Sequence, residues 1–65
     1  MDRESQNKVL DAGFTIIRKD DYPTPRIKSR VDRKQDWKTL NKYETKAQRD
    51  RVFKGLLEDK KTISD

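Results

Sequence analysis

The residues of this chain with the most chemical potential are cations. Lys19, Arg26, Lys28, Arg30, Lys38 and Lys42 fall in three short stretches whose composition favours extended backbone. Side chains alternate across a strand, so even spacing places Arg26, Lys28 and Arg30 on one side, and likewise Lys38 and Lys42. A surface of Lys and Arg holds phosphates by charge and releases their counterions. It would also suit the carboxylates of an acidic protein. A face that serves only solubility is a third reading, since antiparallel sheets commonly leave one side to water. Such a face usually mixes signs, because like charges opposite one another destabilise a sheet. Residues 26–42 carry seven cations against Asp32 and Asp36, a net +5 that equals the charge of the whole chain.

Other chemistry finds little support. The chain has no histidine and no cysteine. That removes Ser-His and thiol nucleophiles and the ordinary zinc site. Asp20, Asp21, Asp32 and Asp36 do not have the spacing of a calcium loop and read as turn residues. No metal, cofactor or small-molecule substrate is expected, and the chain does not read as an enzyme. The one catalytic alternative is RNA cleavage by Tyr43, Arg49 and neighbouring lysines. Trp37 and Tyr43 could stack on bases, but a chain so poor in large apolar residues needs them in its core. Tyr22, between Asp21 and Pro23, reads as an exposed loop aromatic. Arg49 and Arg51 read as solvated helix surface or a second phosphate patch.

The elements that must position these groups can be read in order. Residues 2–12 suit a short helix or arm, with Asp2 as its cap and Gly13 just past its end. Residues 14–43 suit a three-stranded meander. Its first strand is 14–19, rich in aromatic and β-branched residues. The loop Asp20-Asp21-Tyr22-Pro23-Thr24-Pro25 breaks it. Strands at 26–31 and 36–43 follow, separated by a polar turn. Thr45-Lys46-Ala47-Gln48 fits a capping box and opens a helix over 45–59. Ala47, Val52, Phe53, Leu56 and Leu57 form its apolar stripe. Gly55 inside that stripe marks either a close backbone contact or a weak point. The tail 60–65 offers Thr62 and Ile63 for a short edge strand or a clip.

The expected fold is therefore α+β: a two-layer domain, with a three-stranded antiparallel sheet packed by the C-terminal helix and a short N-terminal helix. Alternation assigns Phe14, Ile16, Ile27, Val31, Trp37 and Tyr43 to the inner face. Ile17, Lys19, Arg26, Lys28, Arg30, Lys38, Leu40 and Lys42 go to the outer one. With 65 residues, 29% hydrophobic and 45% charged, this is a single domain with a thin core and marginal stability. No apolar run is long enough for a membrane span or a signal peptide, so a cytoplasmic protein is expected. The leading functional expectation is a non-catalytic accessory protein that binds DNA or RNA through the outer sheet face. The alternative is an adaptor or inhibitor docking on an acidic protein partner, with Ile17 and Leu40 as its apolar centre.

Overall fold

A computed structural model describes all 65 residues. Asp2 opens α1 (Arg3–Asp11) by accepting the Ser5 N–H at 2.7 Å. Gly13, at φ +92°, supplies the left-handed turn that leads out of it. The chain then forms β1 (Thr15–Asp20), β2 (Arg26–Arg30) and β3 (Lys38–Lys42), an antiparallel meander. Thr45 caps α2 (Lys46–Leu56), its hydroxyl accepting the Gln48 N–H at 3.1 Å. This helix stops at Leu56, earlier than the apolar stripe predicts. Gly55 meets no neighbouring atom that a Cβ would touch, so it weakens the helix end and permits no close approach. A short β4 (Thr62–Ser64) pairs in parallel with β1, giving the sheet order β3-β2-β1-β4. None of the helices is long and apolar enough to cross a membrane.

The α+β class holds, but the layering differs from the two-layer expectation. Helix α2 packs Phe53 against Ile17 and Ile27, with Tyr43, Leu56 and Leu57 around them. Helix α1 covers part of the opposite side, where Leu10, Ile16, Gln6 and Arg30 are buried. The sheet therefore has a helix on each face. Register explains why both neighbours Ile16 and Ile17 are buried: Ile16 lies opposite Arg30, and Ile17 opposite Ser29. One isoleucine belongs to each core.

That register overturns the expected division of faces. Ile17, assigned to the outer surface, is 2% exposed in the α2 core. Ile16 faces α1, and Val31, expected inside, is exposed. Strand β3 adds a second departure. Ile27 pairs with Asn41 and Lys28 with Thr39, so Leu40 is an extra residue at a bulge. A bulge breaks the two-residue alternation. Thr39 and Lys42 thus share the α1 side, whereas Lys38, opposite Ser29, lies on the α2 side. Even spacing does not keep Lys38 and Lys42 together.

Candidate functional site

The six cations expected on one surface are divided three ways. Lys19 lies on the α2 side, its ammonium 5.3 Å from the Phe53 ring centre and 3.8 Å from Asp50. Lys38 is on that side too, at the sheet edge. Arg30 is on the α1 side but only 1% exposed. Its Nε donates to the Gln35 carbonyl at 3.0 Å and its Nη1 to Gln6 Oε1 at 2.8 Å. Its Nη2 donates to Asn7 Oδ1 at 3.0 Å and to the Arg33 carbonyl at 3.1 Å. Four of its five N–H donors are thus used inside the protein, and a guanidinium only 1% exposed is out of reach of an external anion. Arg30 is a structural hub that ties α1 to the β2–β3 turn, and its assignment to a contact surface is corrected accordingly.

Arg26, Lys28 and Lys42 do come together, and a fourth cation joins them. Arg18 lies opposite Lys28, and Arg26 lies opposite both Asp20 on β1 and Lys42 on β3. All of these project to the α1 side, on the half of the sheet that α1 leaves uncovered. Trp37, one residue before β3, completes the patch: the Arg18 guanidinium sits 4.4 Å above its ring centre. Alternation from the wrong isoleucine hid Arg18 and put Trp37 in the core. The adjacent Ile16 and Ile17 were the available sign, because two consecutive buried residues imply a strand covered on both faces.

The only carboxylate paired into these strands is Asp20. Lys28 Nζ approaches its Oδ2 at 3.0 Å, and the Tyr22 N–H donates to its Oδ1 at 3.2 Å. These contacts, led by Lys28, hold the Asp20 carboxyl below its ordinary pKa. Arg26 is steadied by its own loop: its Nε donates to the Thr24 carbonyl at 3.2 Å. Its Nη2 reaches the Thr24 hydroxyl at 3.1 Å. Lys42 makes no ion pair and is exposed. The resulting surface has four cations, one aromatic ring and one acid, with no cleft around it.

The remaining aspartates are occupied as local structure. Asp32 and Asp36 accept the backbone N–H groups of Lys34 and Trp37, at 3.0 Å and 2.8 Å. Asp21 accepts from Arg49, a residue expected on the solvated face of α2 but only 4% exposed. Arg49 occupies the helical position one turn before Phe53, so the buried stripe of α2 begins with a cation. Its Nη1 also donates to the Asp20 carbonyl at 3.0 Å, and its Nε to Asp50 at 3.0 Å. The guanidinium lowers the pKa of Asp21, whose carboxylate in turn raises that of Arg49. Comparisons with family models, curated proteins and solved structures gave no match.

Proposed function

We propose that this chain is a small non-catalytic protein that binds nucleic acid through the open half of the α1 side of its sheet. One observation carries the reading: Arg18 faces Lys28 and Arg26 faces Lys42 as direct cross-strand neighbours. Like charges so placed oppose sheet formation. Asp20, opposite Arg26 and paired with Lys28, offsets part of that repulsion, and phosphates laid along the strands would offset the rest. The group relies on Arg18, Arg26, Lys28 and Lys42, with Lys19 and Lys38 on the other side and Arg30 buried beside it under α1. Its site needs no cofactor, and a cytoplasmic location belongs to the same proposal.

Salt dependence tests it. If each of the four cations neutralises one phosphate, log K against log[salt] falls with a slope of about −3.6 on duplex and about −2.8 on single strands. Replacing Arg26 and Lys42 by Ala should weaken binding across unrelated sequences and remove about half of that slope. Replacing Lys60 and Lys61, at the start of the tail by β4, should do much less. Equal losses in both double variants would reduce the attraction to generic charge. A second reading rests on Leu40, which is 51% exposed at the bulge on the edge strand β3, between Lys38 and Lys42. An acidic protein with an apolar contact would use that edge. A partner that stays on the tagged chain after nuclease treatment would favour it.

A further inference from the structure

We infer that the strand bound on this surface is single, with a base stacked on Trp37 in the place Arg18 now occupies. The inference rests on the nucleic-acid reading above and deepens it. Trp37 lies outside the Ile17–Ile27–Phe53 core and is only half-buried, with its ring in contact with Arg18. The loop that carries it is nevertheless fixed. Arg30 holds the carbonyls of Arg33 and Gln35 just before it, and Asp36 accepts its N–H. An aromatic ring is thus presented at the border of a cationic surface by a rigid turn.

The ring has a use only for an unstacked base, because a duplex keeps its base faces inside the stack. Stacking a base on an aromatic is worth about 5- to 150-fold in binding. A guanidinium over an exposed ring is worth about 2- to 5-fold. A base therefore displaces Arg18 from the indole, and the freed guanidinium turns to a phosphate beside Lys28. Shape points the same way. From the Arg30 rung to the Arg26 rung, β2 spans about 13 Å. Helix α1 stands on the same side at the Arg30 end. A flexible strand can bend over so short a platform, whereas a duplex, stiff over about 500 Å, has to clear the helix.

Trp37 is the sole tryptophan, so its fluorescence reports the stacking directly. The full chain would be titrated with oligothymidylate, oligouridylate and a mixed-sequence duplex of equal length, following both labelled-strand anisotropy and tryptophan emission. The expected result is binding of at least one single strand about tenfold or more tighter than duplex, with quenching of Trp37. Trp37→Ala should lose about 5- to 150-fold on that strand and little on duplex, while Trp37→Phe keeps most of the affinity. Equal affinity for single and double strands, or tight binding without quenching, overturns the inference and leaves the nucleic-acid reading standing. Absence of binding to all three at physiological salt overturns both. Quenching is read in the unaltered chain, so the outcome does not depend on Trp37→Ala remaining folded.

Discussion

The two faces of the sheet each bury an arginine, and they do so by opposite means. On the α2 side, Arg49 is matched by carboxylates: Asp21 and Asp50 accept from it, together with the Asp20 carbonyl. On the α1 side, Arg30 is buried more completely and has no carboxylate partner. Its acceptors are two side-chain amides and two main-chain carbonyls, all neutral. The difference follows from what each arginine fastens. Arg49 pins the acidic β1–β2 loop to a helix, and the loop brings its own countercharge. Arg30 gathers α1 and the β2–β3 turn, where dipoles rather than ions converge. The charge of Arg30 has no carboxylate to cancel it, but it lies under α1, beside the open cationic half of the sheet. A cation can thus be buried by neutral groups alone where several chain segments converge on it.

The largest effect should come from removing either core. Arg30→Ala deletes the partner of Gln6, Asn7 and two carbonyls at once. Each buried group left unpaired costs about 1–3 kcal/mol. A total of about 3–5 kcal/mol would rival the loss of Phe53, for which Phe→Ala in a packed core costs about the same. Domains of this size have roughly 3–10 kcal/mol to lose. Urea titrations of Arg30→Ala and Phe53→Ala should both show a largely unfolded population at room temperature. Near-native stability for Arg30→Ala would show that the α1 side is held by Leu10 and Ile16 alone.

The contrast also explains what could be read from the chain and what could not. Helix and strand positions were legible because their signals are local: Asp2 and Thr45 as caps, Gly13 at a left-handed turn, and the Pro23–Pro25 break. Facing was not local. Adjacent Ile16 and Ile17 leave a one-sided alternation undecided, and the loop between β1 and β2 sets which isoleucine meets which helix. The bulge at Leu40 then reverses the parity of β3, so evenly spaced Lys38 and Lys42 part company. Arg30 and Arg49 escaped for a different reason. Arginine is rarely fully buried unless paired, and the long-range partners of these two lie 23 to 29 residues away along the chain. Arg26, Lys28 and Lys42 remained together because Arg26 and Lys28 alternate along β2 and Lys42 pairs with Arg26 before the bulge.

An intermediate effect separates the two arginines by acid. Asp21 is held below its ordinary pKa by Arg49, and Asp20 by Lys28. A carboxylate with a lowered folded pKa contributes stability that is fully present above its unfolded value. The contribution disappears as pH falls through the folded value. Stability should therefore decline from about pH 5 downward. Arg49→Ala should cost about 1–3 kcal/mol at neutral pH through its lost charged hydrogen bonds. It should also flatten the acid limb, because Asp21 loses the main partner that lowers its pKa and keeps only Lys46. Thermal melts from neutral pH into the acid range test both statements. A variant as acid-sensitive as the parent would mean that Asp21 does not respond to Arg49.

The smallest effect concerns the two helix caps, which repeat the contrast between charged and neutral partners with the sides exchanged. Helix α1 starts on a carboxylate, Asp2, held below its ordinary pKa chiefly by the Ser5 N–H that it accepts. Helix α2 starts on the Thr45 hydroxyl, which does not titrate in this range. Thr45→Ala should cost about 1 kcal/mol, the usual loss for a hydroxyl cap. That cost should be the same at pH 7 and at pH 3, since no proton is taken up. Asp2→Ser keeps an acceptor for the Ser5 N–H while removing the charge that favours a helix N-terminus. Its stability should follow the parent closely at pH 7 and fall less steeply as Asp2 would protonate. Urea midpoints at the two pH values decide the matter. If Asp2→Ser shifts the acid limb as much as Arg49→Ala, the carboxylate cap rather than the Arg49–Asp21 pair governs acid sensitivity. If it shifts nothing, the charge of the cap is dispensable and a neutral acceptor at position 2 serves α1 equally well.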